Sequence, residues 1–184
     1  MDGTMVDNAS THFHAFEIFC ERNHVVNSRE KIESVFGLGN DDVMNVLMPP
    51  EVIQAKGLDG LCDEKEAIYR EIYAPVVKPV NGLVNLLEQL RSLGLKCAVG
   101  SSGCRANVDM VLEQCNLKHF FKASISANDV KKCKPDPEIY LKAAESLGLS
   151  PSECIVFEDS NTGIESARKA GVAKIIALST TQPV

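Results

Sequence analysis

The chain has 184 residues, enough for one domain with a sizeable core plus a small inserted one. Hydrophobic residues make up 45% and charged residues 24%, an ordinary globular composition, and a net charge of −6 with only 5% aromatics argues against nucleic acid as the main partner. No apolar run approaches the roughly 18 residues of a membrane span, and the N-terminal residues are neither basic nor apolar, so a cytoplasmic protein without a membrane partner is expected. The seven cysteines (Cys20, Cys62, Cys97, Cys104, Cys115, Cys133, Cys154) are odd in number and contain no Cys-x-x-Cys pair. They read as small apolar residues in a reducing compartment, not as a zinc site or a disulfide framework.

In chain order, residues 9–75 read mainly as helices. Phe13, Phe16, Ile18 and Phe19 give the first an apolar stripe. Asn27 with Glu30 forms a capping box for the second. Asn40 or Asp41 caps a third containing Val43, Val46 and Leu47, and Pro49-Pro50 stops it. Asp63 opens a last helix ending near Tyr73. Beyond Pro75 and Pro79 the pattern changes. Residues 83–93 form an amphipathic helix, 96–100 a buried strand, 105–115 a helix and 121–126 a short strand. Residues 137–147 form a helix closed by Gly148, and 154–157 a buried strand. Residues 161–170 form a helix closed by Gly171, and 173–178 a further strand. Strands alternating with helices predict an α/β fold with a parallel sheet, into which the helical block is inserted. The expected division is 1–8 and 76–184 for the α/β part and 9–75 for the helical one.

Ligands of open parallel sheets bind outside the carboxyl ends of the strands. Ser101-Ser102-Gly103 follows the strand at 96–100. The loop after 121–126 leads to Lys134-Pro135-Asp136-Pro137. Glu158-Asp159-Ser160 follows 154–157, and Asp2-Gly3-Thr4 stands at the start of the chain. Hydroxyls and backbone N–H groups suit phosphate oxygens, a lysine suits phosphoryl charge, and adjacent carboxylates suit a hard cation, which together fit Mg²⁺-assisted phosphoryl transfer. Alone, each segment also has a plain reading: a turn, a helix cap, an exposed loop, a solvated acidic pair. It is their joint occurrence at successive strand ends that carries the chemistry.

These four segments, in order, resemble the motifs of the haloacid dehalogenase superfamily of phosphatases and phosphomutases. The resemblance covers nearly the whole chain and is sharpest in Lys134-Pro-Asp-Pro and in Glu158-Asp-Ser-x-x-Gly163. The first motif of that family reads Asp-x-Asp-Gly-Thr/Val after a hydrophobic strand. Here Met1 stands at x and Asp2 at the second aspartate, so the nucleophilic aspartate and its strand are expected upstream of Met1, as in a truncated sequence. As written, the chain is then expected to be inactive. The rival expectation is a short, non-catalytic phosphate binder.

The resemblance implies a Rossmann-like core with a helical cap over 9–75, Mg²⁺ as cofactor, and a small phosphorylated metabolite as partner of a monomer. It implies Asp2 as general acid/base and, through its backbone carbonyl, a metal ligand. Glu158 and Asp159 would hold Mg²⁺. Ser101 and Lys134 would grip the transferring phosphoryl group, with Gly3, Thr4 and the Ser102–Gly103 backbone nearby. His12 sits where members similar to β-phosphoglucomutase carry a histidine near the general acid; an interfacial hydrogen-bonding histidine fits equally well. Arg105 reads either as a substrate contact or as a surface residue at a helix start, and Cys104 lies close to the second motif. Phosphomutases of this type resemble Lys-Gly-x-x-Arg in the cap loop, whereas this chain has Phe36-Gly37-Leu38-Gly39-Asn40. Without those cations a phosphatase is favoured over a mutase. Asp2 argues against dehalogenation, and the absence of lysine between Lys31 and Lys56 argues against Schiff-base phosphonate chemistry.

Overall fold

The first helices form where apolar residues recur at three- and four-residue spacing. In the computed structural model, which describes residues 1–26, 28–35 and 40–180, the chain divides into two compact units, residues 9–76 and residues 1–8 with 77–184. The first is all-helical: α1 (Ala9–Arg22), α2 (Ser28–Val35), α3 (Asn40–Leu47), α4 (Pro50–Lys56) and α5 (Leu58–Tyr73). Helix α1 buries Ala15, Phe16, Phe19 and Cys20, one face of a 3.6-residue period, and packs on α5. Phe13 and Ile18 of the expected stripe are only half-buried. Helix α5 answers with Leu61, Ile68, Tyr69 and Tyr73, and Ile32, Met44 and Leu47 complete the interior.

Two boundaries differ from the sequence expectation. Pro49-Pro50 does end α3, but it also starts α4. Pro49 is the N-cap and Pro50 occupies the first turn, where a proline's fixed φ and missing N–H cost nothing. The last helix starts at Leu58, directly after Gly57, and not at Asp63. The Asn27 cap falls outside the described residues.

The second unit contains α6 (Leu83–Ser92), β1 (Cys97–Gly100), α7 (Arg105–Gln114), β2 (Phe121–Ile125), α8 (Glu138–Leu147), β3 (Ile155–Glu158), α9 (Asn161–Ala170) and β4 (Lys174–Ala177). Both strand pairings are parallel, Ala98 facing Ala123 and Val156 facing Ile175. Among the described residues they make two two-stranded sheets, β1–β2 and β3–β4, rather than one continuous ladder. Side chains join the two sheets. Helix α8 packs on β1 and β2 and also on α9, and Ile139, Tyr140, Val156, Ala167 and Ala170 form one buried cluster that receives Ile125 and Ile175. The strand at 155–158 is not buried throughout. Val156 and Glu158 point inward, while Ile155 and Phe157 are 56% and 39% exposed. Successive residues of a strand face opposite sides, and the inward residues meet the α8–α9 cluster.

No helix among the described residues is long and apolar enough to cross a membrane. All seven cysteines are free thiols. Burial raises the Cys20 thiol to about 11, the nearby Lys31 only partly opposing it.

Candidate active site

The first strand-end segment is a tight turn. Gly3 has φ 63, a left-handed conformation in which a side chain is strained. Around it Thr4, Met5 and Val6 all direct their N–H groups at the Met1 carbonyl, at 3.2, 2.7 and 3.4 Å. The turn holds the Asp2 carboxylate and the Thr4 hydroxyl in place from one short segment. Asn8, almost fully buried, donates through Nδ2 to Asp2 Oδ1 at 2.5 Å. Ser101 Oγ lies 3.5 Å from Asp2 Oδ2. Thr4 Oγ1 donates to Asp159 Oδ1 at 3.1 Å.

Ser101 continues β1 by one residue, its N–H donating to the Ile125 carbonyl at 2.9 Å, and it is 1% exposed. Its Oγ accepts the Gly103 N–H at 3.1 Å. A Cβ on Gly103 would stand 3.3 Å from Ser101 Oγ and 3.5 Å from Asp2 Oδ2, so glycine keeps this loop close to both. Ser102 is exposed between them.

The third and fourth segments meet at one carboxylate. Lys134 Nζ donates to Glu158 Oε2 at 2.9 Å and lies 3.4 Å from the Gly100 carbonyl, above the Tyr140 ring at 4.8 Å. Both side chains of this ion pair are buried, at 7% and 5% exposure. The Tyr140 hydroxyl donates to the same Glu158 oxygen. Glu158 Oε1 accepts from Ser160 N–H at 3.1 Å and from Ser160 Oγ at 2.7 Å. Burial alone would raise the Glu158 pKa, but the Lys134 charge and the lysine and tyrosine hydrogen bonds outweigh it and hold the group down at about 2. Burial first, and then the Glu158 charge, push the Tyr140 hydroxyl well above its ordinary value, so Tyr140 stays a donor. Ser160 also caps α9, its Oγ accepting the Gly163 N–H at 3.0 Å. Gly163 is required by space: a Cβ there would lie 2.1 Å from Glu158 Cδ.

The structure therefore brings together Asp2, Gly3, Thr4, Ser101, Gly103, Lys134, Glu158 and Asp159 from four separate segments. It adds Asn8, Tyr140 and Ser160. Tyr140 and Ser160 lie inside the motifs read from sequence, and only their spacing from Lys134 and Glu158 could have signalled them. Asn8 had no signal.

The oxygen-only donor set suits a hard divalent cation. Among the described residues no three His, Cys, Asp or Glu side chains are grouped to hold a metal. Mg²⁺ itself needs no such cage: one or two carboxylates with water and substrate phosphate suffice. Both Glu158 oxygens are already engaged by Lys134, Tyr140 and Ser160, whereas Asp159 Oδ1 meets a hydroxyl. Asp159, which follows Glu158 at the end of β3, is tied to the first turn through the Thr4 hydroxyl.

His12 belongs to the helical unit. Its ring stacks on Tyr69 at 3.9 Å, and Lys65 Nζ lies 3.3 Å from its Nδ1. Lys65 is 2% exposed, pairs with Glu66 at 2.7 Å and stands 4.4 Å above the Phe16 ring. No pattern in the sequence points to a lysine in this interior. Arg105 donates to Ser124 Oγ and the Ser124 carbonyl, both at 2.8 Å, and pairs with Asp129 and Asp109. Those contacts tie it to β2 and to the loop that follows it. Residues 36–39 of the loop that separates mutase from phosphatase lie outside the described residues.

An α/β unit with catalytic-type carboxylates, a buried lysine and a serine at its strand ends is the architecture of a phosphoryl-transfer hydrolase. The sequence profile described as haloacid dehalogenase-like hydrolase matches residues 1–177, and the chain belongs to that family. It is 29% identical over 178 residues to a phosphorylated carbohydrates phosphatase of Thermotoga maritima, covering 95% of this chain and 81% of that protein. It is 30% identical over 183 residues to the validoxylamine A 7'-phosphate phosphatase of Streptomyces hygroscopicus subsp. limoneus, covering 98% and 84%. Among solved structures, a family IA, variant 3 hydrolase of this class from Entamoeba histolytica superposes with a TM-score of 0.85 at 27% identity, covering 100% of this chain and 83% of that one.

Proposed function

We propose that the complete protein is a Mg²⁺-dependent phosphatase of small phosphomonoesters of the sugar-phosphate kind, working through an aspartyl-phosphate. The observation that carries this reading is the convergence of Asp2, Ser101, Lys134 and Glu158–Asp159 at the carboxyl ends of parallel strands. The names of the two phosphatase relatives support the substrate class.

In this reading an aspartate carboxylate just before Met1 attacks the phosphorus. The bond from phosphorus to the sugar oxygen breaks, and protonated Asp2 gives its proton to the departing oxygen. Water then attacks the phosphorus of the acyl phosphate and passes a proton to Asp2, which releases inorganic phosphate and restores the carboxylate. Asn8 and Ser101 hold the Asp2 carboxylate in one orientation for both transfers. Ser101 and Lys134 grip the phosphoryl oxygens, with Thr4 and the Ser102–Gly103 backbone beside them. Glu158 keeps Lys134 in place. Asp159, and Asp2 through its carbonyl, would hold the Mg²⁺, which neutralises charge on the phosphoryl group. The helical unit, with His12, acts as the cap that selects the substrate.

The test is hydrolysis of a sugar-phosphate panel by the protein carrying its upstream strand and aspartate. Turnover that needs Mg²⁺, stops with EDTA, and falls by orders of magnitude in Asp2→Asn is expected. Undiminished turnover in Asp2→Asn overturns the role of Asp2, and no turnover of any phosphomonoester leaves the non-catalytic binder as the better reading.

A further inference from the structure

At the opposite, amino-terminal ends of β1 and β2 the α/β unit holds a cavity of about 390 Å³, within the range of small-molecule sites. Cys97 and Phe121, the paired first residues of the two strands, line it. Four strand steps of about 3.3 Å put Cys97 roughly 13 Å from Ser101 along β1, so this cavity and the strand-end site occupy different ends of the sheet.

The lining is chemically one-sided. Arg91, Lys96, His119 and Lys122 open on it, and no acidic residue does. Among the described residues none of these four is in an ion pair with a carboxylate. Three are held by other means: Arg91 lies over the Phe120 ring at 5.3 Å, the His119 ring packs on Phe120 with centroids 4.0 Å apart, and Lys96 Nζ donates to the Leu147 carbonyl at 2.8 Å. The chain as a whole carries a net charge of −6, so gathering basic groups without acids around one concavity runs against its average. The remaining wall is apolar, with Leu87 buried and Phe120 half-buried. A planar guanidinium beside an aromatic ring, with two ammonium groups nearby, recognises a phosphate group on a flat or apolar body.

We propose that this cavity is a second ligand site, for a small phosphorylated molecule with an aromatic or apolar body, of the nucleotide class. Phosphate oxygens would meet Arg91 and Lys122, and the body would lie against Phe120 and Leu87. The site is independent of the hydrolytic reading at the other strand ends.

The probe is ADP, titrated calorimetrically into the full chain in EDTA, with adenosine and inorganic phosphate as half-ligands. ADP is expected to bind more tightly than either half. The exposed pair Arg91→Gln/Lys122→Gln is expected to weaken ADP at least about tenfold, and Asp2→Asn to leave ADP affinity unchanged. Circular dichroism of both variants checks that they fold. ADP affinity equal to that of inorganic phosphate, equal affinity in the doubly substituted protein, absence of ADP binding, or loss in Asp2→Asn with retention in the double variant would each overturn the proposal.

Discussion

The two units each bury a lysine–glutamate pair, and the pairs differ in what surrounds them. Lys134 and Glu158 come from distant segments and meet at 2.9 Å at a strand end, where Tyr140 and Ser160 supply further donors to the carboxylate. Lys65 and Glu66 are sequence neighbours on α5, 2.7 Å apart, beside His12 and the Phe16 ring. Burying a charge is costly unless it is paired and hydrogen-bonded. The first pair meets that cost with groups the family motifs specify. The second meets it with residues of a helix interface that no motif marks. A buried ion pair is thus not in itself the sign of a site; the convergence of segments around it is.

Removing one member of the first pair should have the largest effect. Lys134→Met leaves Glu158 buried without its cation, and a loss of about 3–5 kcal/mol in urea unfolding is expected. In a protein extended by the proposed upstream strand and aspartate, the same change should lower phosphatase turnover by about 10²–10³-fold. A variant of wild-type stability would show that Tyr140 and Ser160 alone compensate the carboxylate.

Lys65→Met tests the second pair. It should destabilise the protein by about 3 kcal/mol through loss of the buried contact with Glu66, and Lys65→Met/Glu66→Leu should recover most of that loss, because an apolar pair of similar volume suits a helix interface. If the double variant is no better than the single one, Lys65 and Glu66 are not coupled. The corresponding double change at Lys134 and Glu158 should not restore turnover, and that contrast separates the two pairs most sharply.

Acid tests the first pair as well. The Glu158 pKa is depressed from 4.5 to about 2, so its contribution is fully present above pH 4.5 and is lost as pH falls from there towards 2. A drop of that size corresponds to roughly 3 kcal/mol. The pH dependence of urea unfolding in metal-free protein should flatten in this window when Glu158→Gln is introduced; an unchanged slope would place the acid sensitivity elsewhere.

Gly163→Ala should cost about 1–3 kcal/mol, because its Cβ would overlap Glu158 and force the carboxylate or α9 to shift. Thermal denaturation measures it, and an unchanged Tm would show that Glu158 can swing aside freely. The smallest effect belongs to Thr4→Val, which removes the hydroxyl that donates to Asp159 and should cost about 1 kcal/mol. A larger loss would mark Thr4 as an anchor of the turn rather than a partner of Asp159.

Much of this molecule follows from its sequence because the controlling interactions are local. Apolar periodicity places α6–α9 within a residue, Gly148 and Gly171 end α8 and α9, and the four strand-end segments stand in the order the family requires. Boundaries governed by two competing signals were less legible: a proline pair that both ends α3 and begins α4, and a start of α5 that precedes its first acidic cap candidate. Only the tertiary structure decided which atoms meet. It joined the two parallel strand pairs through side chains of α8 and α9, tied Arg105 to β2 and the loop after it, and placed Lys65 in the helical interior. It also engaged both Glu158 oxygens, with Lys134 and Tyr140 on one and Ser160 on the other. Sequence fixes the kinds of groups at each strand end through short-range patterns. Their partners depend on distances between segments up to 177 residues apart, which packing alone sets.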